Sequence, residues 1–158
     1  MIFKKLGCLF FILCFSVGTA WAATPDEVVK ETAEGVISHI ESNRSILETH
    51  PEKIYDMVNE LVIPRFDFIS MSKWVLGKHW KTASETQRLE FIAQFKALLV
   101  RTYARALLEY SGQNIKYYPV EQNPQSNLAV VKTELISSSR AQLPILYRMH
   151  QKNEEWKV

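Results

Sequence analysis

The stretch PRFDFISMSKWVLGKHW, residues 64–80, holds four aromatic rings and a histidine and decides how the rest of the chain is interpreted. Within it Phe68, Met71 and Val75 recur at a spacing that puts them on one face of a helix. Apolar side chains at helical spacing usually bury themselves in a core. We therefore expect this segment to be core, and neither a cofactor site nor a membrane-binding hook.

Asp67 is the only acid in this stretch, and it directly precedes the predicted helix. It is a good N-cap for a helix over residues 68–76, and Gly77 is a good left-handed terminator for it. A carboxylate among aromatic rings also fits a buried general base. The cap explains Asp67 without a special pKa, so we favour that role.

Downstream, the sequence predicts one long helix that begins at Ser84 and stops at Gly112. Ser84 and Gln87 form a capping box at its start. One polar stripe runs along it, formed by Glu90, Gln94, Arg101, Arg105 and Glu109. Almost everything else is apolar, so the helix needs cover on several sides, either from the core or from a bound apolar ligand.

Upstream, the pattern predicts two further helices. TPDE at 24–27 is a helix start with a capping box, and apolar side chains continue at helical spacing to about Arg44. A second helix begins near Pro51. It should end before Pro64, because the residue before a proline avoids helical dihedrals.

After Gly112 the apolar period changes from helical to alternating, which predicts antiparallel strands separated by polar turns. The predicted strands contain Ile115 and Tyr117, then residues 128–135, then 143–149, with a partner strand beginning at EEWKV. Helices followed by a strand meander predict an α+β fold.

Residues 1–22 have the pattern of a secretory signal peptide: Lys4 and Lys5, an apolar run, and an A-x-A cleavage site. Its removal would take away both cysteines and leave 17 basic against 17 acidic residues. This even balance lacks the excess of positive charge that is typical of nucleic-acid-binding proteins. We expect a soluble, exported single domain over residues 23–158.

Chemistry-bearing motifs are scarce. The four histidines show no zinc-ligand spacing, and neither a nucleophile elbow nor a phosphate-binding glycine loop is present. We predict no catalytic residue, metal or cofactor.

The run from 64 to 113 nevertheless resembles the central signature of the MlaC family of periplasmic phospholipid-binding proteins, also called the toluene-tolerance family. The matching positions are Pro64, Phe66, Asp67, Phe68, Leu76, Gly77, Trp80, Gln87, Phe91, Phe95, Leu98, Tyr103, Leu107, Tyr110 and Gly112. The resemblance implies helices packed on a strongly curved antiparallel sheet, with an apolar pocket between them for acyl chains. The aromatic stretch at 64–80 would close one wall of that pocket.

The implied function is that of a periplasmic carrier in a lipid-asymmetry (Mla) system. Its partners would be a phospholipid ligand, an inner-membrane ABC transporter complex with an MCE-domain ring, and an outer-membrane lipoprotein–porin complex. The residues expected to contact lipid are Phe68, Met71, Val75, Phe95, Leu98, Tyr103, Leu107, Val131, Leu143, Ile145, Tyr147 and Met149.

Family members continue past the E-W-x-V position with more of that strand and a C-terminal helix, so the resemblance implies a C-terminally truncated domain.

Two other functions fit the residues. One is an isomerase-like enzyme on a cone-shaped α+β fold, using Asp67 and Tyr103 or Tyr117, which requires a carboxylate of raised pKa. The other is a periplasmic adaptor that binds protein through an exposed apolar patch.

Overall fold

The structure of the protein is a computed structural model that describes residues 23–122, 125–137 and 142–158. The predicted signal peptide, with Cys8 and Cys14, lies outside the described residues. So do parts of the two predicted turns, at 123–124 and 138–141.

Helices make up the first two thirds of the described chain. In order they are α1 Pro25–Ser42, α2 Arg44–Thr49, a 3-10 turn Pro51–Lys53, α3 Ile54–Met57, a π-helical turn Val58–Val62, a 3-10 turn Ile63–Arg65, α4 Phe68–Leu76, α5 His79–Thr82 and α6 Glu85–Leu108.

The predicted helix starts are confirmed. The Glu27 carboxylate accepts a hydrogen bond of 2.7 Å from the backbone N–H of Thr24. At the start of α6, Ser84 and Gln87 form the reciprocal pair of a capping box, with bonds of 2.9 and 3.2 Å. Each bond satisfies an N–H that has no partner within the helix.

Two predicted helix ends were wrong: α6 ends at Leu108, four residues before Gly112, and the second helical segment does not end before Pro64. The first helix ends at Ser42, close to the predicted Arg44, and Asn43 after it has non-helical dihedrals while its backbone and side-chain amides both donate to the His39 carbonyl. A new helix, α2, then buries Leu47. Helical geometry also continues through Pro64, which lies in the first positions of the 3-10 turn, where its missing N–H has no cost.

The strands follow as an antiparallel meander: β1 Asn114–Tyr117, β2 Glu121–Gln122, β3 Leu128–Ile136, β4 Gln142–Lys152 and β5 Glu155–Lys157. Their order in the sheet is β1-β3-β4-β5, and β2 pairs with β3 along the same edge as β1. The sheet curls into a half-barrel on which the helices pack. The predicted α+β class is confirmed.

The described residues form two buried clusters, which we name by their elements. The helical cluster joins Val36 and Ile40 of α1 to α2, α3 and Ala104 of α6. The sheet cluster joins Val28 and Val29 of α1 to the inner face of β3, β4 and β5. Helix α1 therefore links the two clusters, with its first turns on the sheet and its later turns among the helices.

Candidate functional site

The inner face of the sheet is apolar, and its burial changes along β4. Side chains alternate across a strand, so Leu143, Ile145, Tyr147 and Met149 share this face. Met149 is 2% exposed, Tyr147 and Ile145 are half-buried, and Leu143 is 59% exposed. One end of the face is thus closed and the other open.

The cover at the closed end comes from α1 and β5. Val28, Val29 and Trp156 pack there against Val131 and Met149, which are buried side chains. Within the described residues, the apolar side chains at the other end of this face belong to neither buried cluster. There Leu143 opposes Leu135 in the register of β3 and β4. We name Leu135, Leu143 and Ile145 the open end of the sheet.

Helix α6 carries apolar side chains on two nearly opposite faces. Val100 packs on the helical cluster. Leu98, two residues away and so about 200° around the helix, is 56% exposed. Phe91 and Phe95 are neighbours of Leu98 at helical spacing, and their rings stack at 5.8 Å between centroids. We name Phe91, Phe95 and Leu98 the outer face of α6.

The residues predicted to contact lipid fall into three environments. Phe68, Val131 and Met149 are buried. Met71, Phe95, Leu107, Ile145 and Tyr147 are half-buried. Val75, Leu98, Tyr103 and Leu143 are exposed. The structure brings Val131, Tyr147 and Met149 together in the sheet cluster and puts Leu107 against the helical cluster.

The expectation that the 64–80 stretch is core was wrong for its second half. Phe68 is buried and stacks on Phe66 at 5.9 Å, and Ser72, one turn later, is buried too. Val75 is more than half exposed, and Trp74 is 81% exposed. Helix α4 therefore buries its Phe68–Ser72 side and exposes Trp74 and Val75, whereas Leu76 and Trp80 after them are half-buried.

Asp67 connects α4 to the far end of the sheet. Its Oδ1 accepts from the backbone N–H of Ser70 at 3.0 Å, which confirms the N-cap. Its Oδ2 accepts from the Lys152 ammonium at 2.9 Å and lies 3.2 Å from Nε2 of His150. The backbone of Val158 also accepts from the Asp67 N–H and donates to the Arg65 carbonyl.

These partners decide the protonation state of Asp67. Burial raises the pKa of its carboxyl, but hydrogen bonds from Lys152 and Ser70 outweigh burial and hold the pKa well below the usual 3.8. The enzyme hypothesis required a carboxyl of raised pKa, so the structure contradicts that requirement at Asp67.

Two tyrosines lie on the inner face of the sheet. Burial raises the pKa of Tyr147, against the opposing effect of a hydrogen bond with Thr133. The pKa of Tyr117 is raised by burial and by the nearby Glu34 and Tyr147. Both phenols stay neutral at physiological pH, so they can donate hydrogen bonds beside the apolar surface.

Two shallow clefts lie on the helical side of the described chain. One, of about 480 Å³, is lined by residues of α4, α5 and α6, including His79 and Phe91. The other, of about 360 Å³, lies between Tyr55 and the Val100 side of α6. Within the described parts of the chain, no three acidic, histidine or cysteine side chains gather as a metal site. Nor is any helix there long and apolar enough to span a bilayer.

A comparison with known families identifies this arrangement. The sequence profile of the MlaC protein family matches residues 30–158, which is most of the chain. The chain belongs to the MlaC family.

Curated relatives of this MlaC-family chain are similar over most of its length. It is 29% identical over 155 residues to the toluene tolerance protein ttg2D of Pseudomonas putida, covering 98% of this chain and 72% of that protein. It is 28% identical over 144 residues to the intermembrane phospholipid transport system binding protein MlaC of Haemophilus influenzae, covering 89% and 67%.

A solved structure is similar in fold. The phospholipid-binding protein from Ralstonia solanacearum, determined in complex with a phospholipid, superposes with a TM-score of 0.78 at 26% identity. The match covers 86% of this MlaC-family chain and 75% of the Ralstonia chain.

Sequence reasoning missed the polar cluster around Asp67. His150 and Lys152 are two apart on β4, so they share the outer face of the strand, and that spacing is visible in the sequence. Their contact with Asp67 joins residues 83 and 85 positions apart, which no local pattern reports.

Proposed function

We propose that this MlaC-family chain is a periplasmic phospholipid carrier that shields acyl chains between α6 and the inner face of the sheet. The observation that carries the proposal is the likeness to the Ralstonia protein, whose structure holds a phospholipid. The predicted signal peptide at residues 1–22 supports the periplasmic location.

Energetics supports an apolar surface of this kind. Two acyl chains of about 30 methylenes in total cost roughly 24 kcal/mol to expose to water, at about 0.8 kcal/mol per methylene. A carrier must therefore replace water by protein along most of their length. The outer face of α6 and the open end of the sheet supply apolar side chains that the two buried clusters do not use.

The proposed lipid contacts follow the exposure of the predicted residues. Leu98, Leu143 and Ile145 offer accessible apolar surface and would be the first contacts. Val131 and Met149 are packed by protein side chains, so they would support the floor of the site. The zwitterionic or anionic head group would remain in water, since burying a charge without a partner is costly.

The proposed partners are an inner-membrane ABC transporter complex with an MCE-domain ring and an outer-membrane lipoprotein–porin complex. Family membership supports this assignment, as does the name of the Haemophilus relative, which describes a binding protein of an intermembrane phospholipid transport system. We propose no catalytic role for the chain.

Extraction of the purified protein with organic solvent, followed by mass spectrometry, tests the proposal. We expect phospholipid at close to one molecule per chain. A folded protein that neither carries phospholipid nor takes it up from vesicles would refute the carrier function and favour a protein-binding adaptor.

A further inference from the structure

The segment from α4 to α5 has an exposed tryptophan that the proposed lipid site does not use. Trp74 is 81% exposed, and it lies about 200° around α4 from the buried Ser72. The next residue, Val75, is more than half exposed. Exposed apolar side chains that adjoin one another mark interaction sites, whereas single ones are ordinary on protein surfaces.

The same segment is positively charged and contains no neutralising acid. Lys73, Lys78 and Lys81 are exposed, and residues 68–84 include no aspartate or glutamate. None of the three lysines forms an ion pair within the described residues. This local excess contrasts with the even balance of charge predicted for the exported domain as a whole.

Hydrogen bonds and cation–π contacts anchor this segment to the fold. The Gly77 N–H donates to the Lys73 carbonyl at 3.0 Å, and the Trp80 N–H donates to the Gly77 carbonyl at 3.2 Å. Two cations lie over the Trp80 ring, the Lys73 ammonium at 5.7 Å and the Arg88 guanidinium at 5.2 Å from its centroid. The turn between α4 and α5 is thereby fixed to α6, and Trp74 is presented from an ordered support.

We propose that this basic aromatic surface, formed by Trp74, Val75, Lys73, Lys78 and Lys81, binds the surface of an anionic lipid bilayer. Tryptophan prefers the boundary between head groups and acyl chains, where its ring is apolar and its N–H finds a partner. Lysines beside it are attracted to anionic head groups. The occupant is thus a bilayer surface. This contact is separate from the first contacts proposed for the carried lipid, Leu98, Leu143 and Ile145, and it takes Val75 out of the set expected to contact that lipid.

Vesicle binding tests the proposal directly. The protein is mixed with phosphatidylglycerol-containing vesicles or with pure phosphatidylcholine vesicles, and the bound fraction is measured by flotation. We expect binding only to the anionic vesicles, weakened by added salt because the attraction is screened. Tryptophan emission should shift to the blue on binding, since among the described residues Trp74 is exposed, Trp80 is half-buried and Trp156 is buried.

Matched variants separate the surface from general charge and apolarity. Trp74→Ala should weaken binding by at least about fivefold, whereas Leu146→Ala, at a residue 64% exposed on the outer face of β4, should leave it unchanged. The double variant Lys78→Gln/Lys81→Gln should weaken it by about 25-fold, since each lysine near an anionic surface contributes about fivefold. The control pair Lys30→Gln/Lys53→Gln should have little effect.

Three results would overturn the proposal: no binding to anionic vesicles, equal binding to neutral ones, or unchanged binding by Trp74→Ala. The first would assign the surface to an acidic protein partner. Circular dichroism is the control that each variant is folded. Because the assay measures vesicle binding and not carried lipid, its failure and the failure of the carrier function are distinguishable.

Discussion

The ammonium of Lys152 donates a 2.9 Å hydrogen bond to Oδ2 of Asp67, and this bond joins β4 to the first turn of α4 across 85 positions of sequence. The carboxylate is buried, and it also accepts from Ser70 and lies beside His150. It therefore adds a side-chain link between the helical segment and the β4–β5 hairpin to the two backbone bonds made by Val158.

Asp67→Asn should lower the free energy of unfolding by about 1–3 kcal/mol, because a charged hydrogen bond is lost and the cations keep no counter-charge. Chemical denaturation measures the change. The control is Asp56→Asn, in an exposed pair with Lys53 at 3.5 Å, which should cost less than about 0.5 kcal/mol. Equal effects of the two substitutions would refute the structural role of Asp67.

Stability should depend on pH through the same carboxyl. Its pKa is held below the ordinary 3.8 in the folded state, so its contribution is fully present above that value and is lost as the pH falls below about 4. Melting temperatures measured from pH 5 to pH 2 should therefore fall more steeply for the native protein than for Asp67→Asn. Parallel curves for the two proteins would contradict this linkage.

Local signals made much of the fold predictable. The caps at Thr24, Asp67 and Ser84 were correct because each depends on residues three positions apart. The alternation along β3 was also correct: Ala129, Val131 and Thr133 are the buried set.

The remaining features depend on what covers each element. Periodicity groups the side chains of α4 by face, but it does not show which of them other elements cover. The exposure of Trp74 and Val75 was therefore missed. For the same reason the sequence predicted surplus apolar surface on α6 without saying which face the core takes. The ion pair between Asp67 and Lys152 required the tertiary fold.

Three aspartate substitutions should separate core from lipid site on the sheet. Val131→Asp should unfold the protein, because this fully buried position has no partner for a charge. Ile145→Asp, near the open end of the sheet, should leave a folded protein that has lost its phospholipid. Leu146→Asp, on the opposite and exposed face, should keep both fold and lipid.

Circular dichroism reports the fold of these three variants, and mass spectrometry of the organic extract reports their lipid. A folded Ile145→Asp protein with its full complement of phospholipid would remove the open end of the sheet from the site. Unfolding of Ile145→Asp to the same extent as Val131→Asp would make Ile145 a core residue.

The two faces of α6 should respond differently to matched truncations. Val100→Ala should destabilise the protein by about 1 kcal/mol or more, since its side chain packs on the helical cluster. Leu98→Ala should change stability by less than about 0.5 kcal/mol and yet reduce bound phospholipid. If Val100→Ala lost phospholipid and Leu98→Ala kept it, the lipid site would lie on the Val100 face of α6, and the proposal would be refuted.

Photocrosslinking tests most directly the claim that acyl chains lie between α6 and the inner face of the sheet. The protein is loaded with a phospholipid that carries a photoreactive group midway along one acyl chain, separated from vesicles and irradiated, and the adducts are mapped by mass spectrometry. We predict adducts on the outer face of α6 at Phe95 and Leu98 and on β4 at Leu143 and Ile145. Adducts confined to Trp74 or to Leu146 on the opposite face of β4 would contradict the account.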